Sequence, residues 1–263
     1  MKKVLIVCTN TSSYPESESK TGLWIGEVTH FLNELEQQGI GYQLASPMGG
    51  KIPLDPASFE NYDKLNLKYI KTPEFAQGLK NSPALENIKI QDFAAIYFAG
   101  GHGAMFDFPE SEGVQKAAKH IYRSGGIVSA ICHGSSALIN VLDDRGENII
   151  AGKSITGFSN LEELIIRKTK LMPFKLQDEI LAKGATFVKA LLPFLSRVVV
   201  SENIITGQNP ASAKNLGKAV ATAVGALMAE PPPPPPPSGP PSGPPSPPPS
   251  GPPKFEIAKE GGL

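Results

Sequence analysis

Short apolar runs rich in β-branched residues alternate along the chain with longer stretches in which apolar residues recur every three or four positions. Residues 4–8, 42–46, 94–99 and 126–131 are runs of the first kind. Their unbroken apolar character predicts strands buried on both faces, as in a mainly parallel sheet. Residues 23–38 are of the second kind, with apolar residues at 24, 28, 31, 32 and 35 on one helical face and Gly39 closing the helix. Residues 112–123 predict another helix, stopped by Gly125-Gly126. Beyond Ile150 the pattern predicts a strand near Ser154, helices from about Asn160 and Phe174, and short strands around Thr186 and Val198. Ile204-Ile205 then leads into Gly207, and residues 210–228 form a last helix. Strand and helix alternating at this rhythm imply right-handed crossovers and a sheet covered by helices on both faces. Residues 51–92, rich in Pro, Asn and Lys, predict a mostly irregular excursion.

Composition divides the chain into unlike pieces. Of its 26 prolines, 16 follow Glu230, and residues 231–253 contain only Pro, Ser and Gly. Such a segment cannot bury apolar surface, which predicts a disordered, extended polyproline II spacer reaching up to roughly 70 Å at about 3.1 Å per residue. Apolar residues return in 254–263, a short peptide that fits either a tethered docking element for a partner or an appended segment. The remaining 1–230 are enough for one α/β domain with a substantial core.

Charge narrows the partners. Lys plus Arg and Asp plus Glu each number 25, so no net field attracts nucleic acid or an anionic membrane surface. The apolar run after Met1-Lys2-Lys3 breaks at Thr9-Asn10, as a strand does and a signal peptide does not. No stretch approaches the roughly 20 apolar residues of a membrane span. Cys8 and Cys132 are accordingly expected as thiols in a reducing, cytoplasmic compartment.

The strongest chemical signal is Ser129-Ala130-Ile131-Cys132-His133-Gly134-Ser135-Ser136, where a strand runs into small residues that open a helix. A turn that sharp pushes its central side chain out above the strand ends, the logic of a nucleophile elbow. Helix N-terminal amides are expected to lower the pKa of Cys132. Cys8, with no helix start behind it, is expected to be structural. A second turn, Gly100-Gly101-His102-Gly103, follows a neighbouring strand, making Gly101 and Gly103 candidates for holding an oxyanion or positioning substrate. Glu27 borders the apolar stripe of the first helix, where desolvation raises a carboxyl pKa and suits it to proton transfer. Glu162 and Glu163 lie in the first turn of a helix capped by Asn160, and only one of them need be functional. Of the four histidines, none follows Cys132 except His133, which argues against a glutamine amidotransferase and leaves His133 as the obvious base. No sequence spacing marks a metal site, so no metal is expected.

Trp24-Ile25-Gly26-Glu27, Ser46-Pro47-Met48-Gly49-Gly50, Leu54-Asp55-Pro56, Gly100-Gly101-His102-Gly103, Ala130-Ile131-Cys132-His133-Gly134, Thr156-Gly157-Phe158-Ser159-Asn160 and Thr206-Gly207-Gln208-Asn209-Pro210-Ala211-Ser212 together resemble the DJ-1/PfpI superfamily, most closely its Hsp31-like branch. The resemblance covers nearly all of residues 1–228. It implies a flavodoxin-like sheet, a homodimer, and a cofactor-free glyoxalase III activity that turns methylglyoxal, a small aldehyde, into lactate without glutathione, alongside a stress-chaperone role. By the same resemblance Cys132 is the nucleophile, His133 its neighbour, Glu27 the facing acid, and Glu163 the third member, with Glu162 one step away. A redox-responsive holdase and a cysteine peptidase are the competing readings. Because nothing in these motifs involves the tail, truncation after Glu230 is expected to leave the thermal melting temperature and methylglyoxal turnover unchanged. Early melting of the truncated protein would show instead that the tail packs on the body.

Overall fold

A computed structural model of the chain describes residues 3–59 and 63–229. The chain divides into two units, Met1–Glu230 and Pro231–Leu263. The second, with the expected spacer and final peptide, lies outside the described residues.

In chain order the elements are β1 (Lys3–Val7), α1 (Ile25–Gln37), β2 (Gly41–Ala45), α2 (Lys64–Ile70), α3 (Pro73–Lys80), β3 (Phe93–Phe98), α4 (Ala104–Asp107), α5 (Glu112–Arg123), β4 (Ile127–Ile131), β5 (Ser154–Ile155), α6 (Asn160–Ile165), α7 (Leu176–Ala182), β6 (Thr186–Phe187), β7 (Val198–Ser201), β8 (Ile204–Gly207) and α8 (Ala213–Ala229). The main sheet has the order β2-β1-β3-β4-β8-β7, parallel throughout except for β7, which pairs antiparallel to β8. A small parallel pair, β5-β6, stands apart from it. The strand and helix rhythm predicts such a mainly parallel sheet, and its flavodoxin-like order is what the family resemblance implies.

Both sheet faces are covered. On one, α1 and α8 pack over Val4, Ile6 and Tyr97; on the other, α5 and its neighbours pack over Leu5, Ile96 and Val128. Every residue of β3 and β4 is buried, which is why their sequences are apolar without alternation. Phe31 of α1 stacks on Tyr97 of β3, with ring centroids 3.8 Å apart, and the Tyr97 hydroxyl donates to the Glu27 carbonyl at 2.9 Å. Helix α1 is thereby fixed over the centre of the sheet at the turn that carries Glu27.

The expectation of an irregular 51–92 needs correction. It holds α2 and α3, seven and eight residues long. Asp63 caps α2 through its side chain, and Pro73 opens α3 at a position where a missing N–H costs nothing. Helices of two turns are too short to show a periodicity.

Sheet order reverses direction at β1, from which the chain goes to β2 on one side and β3 on the other. The crevice over the strand ends at such a reversal is where open α/β sheets bind ligands. Truncating Phe31 to Ala is expected to destabilise the fold by about 3–5 kcal/mol in chemical denaturation, because it empties a site with no exposure and loosens α1. A loss below about 1 kcal/mol would show that the stack contributes little.

Candidate active site

The loops after β1, β3 and β4 meet over the strand ends. Cys132 comes directly after β4, with φ at +55°, a left-handed conformation that non-glycine residues adopt only where the surroundings impose it. The elbow is therefore present, but it opens into a run of 3-10 turns, Cys132–Leu138, in place of the expected α-helix. Gly100 lies under the elbow. A Cβ there would come 2.5 Å from Glu27 Oε2 and 2.8 Å from Cys132 Cβ, so only glycine lets the carboxyl and the thiol come together.

Glu27 is fully buried, at 0% exposure. Its Oε2 accepts the Gly100 N–H at 2.8 Å, while Oε1 has no hydrogen-bond partner among the described residues. Burial pushes its pKa up to about 8, against partial relief from the Cys132 thiol and the Gly100 amide. Cys132 is only 4% exposed. Burial and the neighbouring Glu27 drive its pKa well above the ordinary value, which overturns the expectation of a thiol acidified by helix amides. Two acids share one dry corner, and each disfavours the other's charge.

On the other side of Cys132, the sulfur lies 3.4 Å from His133 Nδ1, and His133 Nε2 lies 2.6 Å from Glu163 Oε2. Burial opposes charge on Glu163, but hydrogen bonds from two imidazoles override it and hold its pKa down to about 2. An ionised carboxylate can only accept, so His133 carries its proton on Nε2. Burial, with His102 beside it, lowers the His133 pKa, and the neutral ring presents Nδ1 as a lone pair to the thiol. The second imidazole is His102, whose Nε2 donates to Glu163 Oε1 at 3.1 Å and whose Nδ1 meets the Tyr14 hydroxyl at 3.0 Å. Sequence alone assigns no role to Tyr14 or His102. Only the fold carries the loop after β1 and the turn after β3 to one carboxylate.

His102, His133 and Glu163 also place ligand-type atoms within 4.8 Å of one another, a set that no sequence spacing marks. Those atoms already bond to each other, so an ion would have to displace two hydrogen bonds. Gly101, at φ +100°, lines the cavity above Cys132. Gly103 does not line it: its Cα is backed by Thr9 and Thr11, which moves it away from the oxyanion role expected of it. Glu162 bonds to Phe194, Gln208 and Asn209 and not to His133, and Ser159 caps α6 where Asn160 was expected, through a reciprocal capping box with Glu162. The pattern Ser-x-x-Glu was present in the sequence to say so. His30, on α1, pairs with Asp63 at 2.6 Å.

A family model described as DJ-1/PfpI family matches residues 74–223, more than half of the chain. The chain belongs to the DJ-1/PfpI family. Within it, Glyoxalase 3 of Candida albicans is 32% identical over 239 residues, covering 85% of this chain and 98% of its own length. The Glutathione-independent glyoxalase HSP31 of Saccharomyces cerevisiae is 29% identical over 223 residues, 81% of this chain and 93% of its own. Among solved structures, the Rapid Encystment Protein 24 KDa of Francisella tularensis shares 41% identity with a TM-score of 0.83, over 85% of this chain and 99% of that one. The DJ-1/PfpI resemblance seen in the scattered motifs is thus a family membership that extends along most of the chain.

The two carboxyls predict opposite responses to pH. Glu27, raised to about 8 in the folded protein, binds more protons folded than unfolded. Its stabilising contribution is complete below its ordinary value of 4.5 and is lost as pH rises through about 8. Glu163, held at about 2, contributes fully above 4.5 and loses that contribution as pH falls towards 2. In thermal melts across pH, Glu27→Gln is expected to remove most of the alkaline decline and Glu163→Gln to remove part of the acid decline. An alkaline limb unchanged by Glu27→Gln would show that Glu27 is already ionised at neutral pH.

Proposed function

We propose that this protein is a glutathione-independent glyoxalase that converts methylglyoxal to lactate through a covalent adduct on Cys132. The observation that carries the reading is the placement of Cys132 between a neutral imidazole on one side and, on the other, a buried carboxyl whose pKa of about 8 lets it hold or release a proton near neutral pH.

The Cys132 sulfur adds to the aldehyde carbon as its proton passes to His133 Nδ1. Glu163 orients the imidazole and stabilises the imidazolium that forms. The resulting oxyanion is held by the Gly101 and His133 amides and takes the proton back, giving a hemithioacetal. Glu27 acts in its ionised form, its own proton having been released to solvent: it removes the hydrogen from the former aldehyde carbon and returns it to the adjacent carbon through an enediol, leaving a lactoyl thioester. Water cleaves the thioester to lactate and restores the thiol. The aldehyde carbon is oxidised and the ketone carbon reduced by the same amount, so the sequence needs no external oxidant or cofactor. A carboxyl with pKa about 8 is a stronger base than an ordinary glutamate and titrates close to neutral pH, which suits it to a two-way proton transfer. A holdase, by contrast, would leave this arrangement of Glu27 and Glu163 without work, and a peptidase has no use for a second proton shuttle. A cytoplasmic homodimer acting on a small aldehyde completes the reading.

Lactate formation from methylglyoxal in glutathione-free buffer tests it. Cys132→Ala is expected to lower turnover by about 10³-fold or more with the fold retained by circular dichroism, and Glu27→Gln by roughly 10²-fold, mainly in kcat. A folded Cys132→Ala protein with wild-type turnover would sink the covalent route.

A further inference from the structure

Glu162 is the carboxylate that this reaction leaves without a task, yet five donors converge on it. Ser159 N at 2.9 Å, Ser159 Oγ at 2.7 Å and Gln208 Nε2 at 2.9 Å reach its Oε2. Phe194 N at 2.9 Å and Asn209 Nδ2 at 2.8 Å reach its Oε1. The side chain has no exposure, so the charge is held wholly by these donors.

Their purpose shows in the segment 188–197 between β6 and β7, which has no regular structure of its own. Polar side chains just beyond β8 pin it at several points. Gln208 Oε1 accepts the Ala190 N–H at 2.7 Å, Asn209 Nδ2 donates to the Leu195 carbonyl at 2.9 Å, and Ser212 Oγ accepts the Arg197 N–H at 3.0 Å. At the middle of the strap Phe194 is forced to φ +62°, and its N–H is the one Glu162 takes. A phenylalanine adopts that conformation only where the surroundings over-determine it. The result is a ring aimed at the cavity, 6.3 Å from the ring of Phe158, which in turn lies 4.6 Å from the His133 ring.

The cavity over Cys132 measures about 560 Å³, and Tyr14, Trp24, Phe158, Ile166 and Phe194 supply much of its wall. That volume lies in the range that encloses drug-sized ligands. It is not the small pocket that a three-carbon dicarbonyl requires. Methylglyoxal bound at Cys132 would leave most of the apolar wall untouched, and Phe194 remains 41% exposed.

We propose that the preferred substrates are 2-oxoaldehydes carrying a bulky apolar arm, aryl or branched alkyl, and that Glu162 is a positioning residue that sets this preference by holding Phe194 against the arm. The inference rests on the glyoxalase reading above. The chemistry is unchanged: phenylglyoxal plus water gives mandelate, with the same internal transfer of hydrogen from the aldehyde carbon to its neighbour. What the arm adds is contact with rings that a methyl group does not reach.

The test compares kcat/KM for phenylglyoxal and methylglyoxal, with mandelate and lactate quantified by chromatography, in wild type, Phe194→Gly and Glu162→Gln. Glycine suits the left-handed backbone at 194, so Phe194→Gly removes the ring without threatening the fold. Wild type is expected to favour phenylglyoxal by roughly tenfold or more, expressed in KM. Phe194→Gly is expected to cut that ratio at least about fivefold, and Glu162→Gln to shift it in the same direction with little further effect in the double variant. Should Glu162→Gln fail to fold, Asn209→Ala loosens the strap from its other anchor and is expected to shift the ratio likewise. Lactate formation with no preference for phenylglyoxal, or a preference that Phe194→Gly leaves unmoved, overturns the inference and spares the glyoxalase reading. A preference that Phe194→Gly abolishes but the strap variants leave intact removes Glu162 from it. Absence of product from both aldehydes overturns the glyoxalase reading and this inference together.

Discussion

Protonation at the strand ends is set by the contest between burial and the donors that reach each carboxyl. Glu27 receives one N–H, on one oxygen, and burial keeps its proton on up to about pH 8. Glu163 receives two imidazole N–H groups, one on each oxygen, and stays ionised down to about pH 2. Glu162 receives five and is likewise ionised below the ordinary carboxyl range, although burial opposes it. Burial set against the donors each receives leaves Glu27 protonated and the other two ionised, and the thiol between the first two finds an acid on one side and a base on the other. Remove the donors from Glu163 and the imidazole loses both its orientation and the reason its proton sits on Nε2.

The fold imposes that distribution through backbone geometry. Cys132 in a left-handed conformation, a glycine at 100 where any side chain would collide, and helix α1 pinned by the Phe31 and Tyr97 stack leave the Glu27 carboxyl one place to go. There it meets the Gly100 amide and the Cys132 thiol and, among the described residues, no cation. Helix α1 offers a favourable dipole to an acidic residue in its first turn, but that field is too weak to overcome complete desolvation.

Most of this was legible in the sequence where residue type and local order suffice. The four central strands, the elbow at Cys132, the glycine turn at 100–103 and the apolar setting of Glu27 each derive from a run of neighbouring residues. The choice between Glu162 and Glu163 did not, since both occupy one helical turn and only the position of His133 on another loop separates them. Tyr14 and His102 were out of reach for the same reason, being joined by a contact that spans 88 positions. Gly103 misled because a glycine needed for backbone approach to Thr9 and Thr11 looks the same in sequence as one needed for approach to a ligand. The acidity expected of Cys132 failed because a helix-terminus argument says nothing of a carboxyl arriving from α1.

The order of strands in the central sheet bears on how the chain becomes reactive. Strand β4 pairs with β8 across the whole of residues 132–203, whereas β3 and β4 are joined by the much shorter segment that carries α4 and α5. Closing the longer loop carries the larger entropic cost, so pairing of β8 is the late event on topological grounds. Glu162, Glu163 and Phe194 all lie inside that loop. A chain emerging from synthesis thus exposes the elbow cysteine first and acquires the carboxylate that orients its base only once the last parallel strand has docked. Until then the thiol lacks the oriented base that the reaction requires, and a half-folded protein has no turnover.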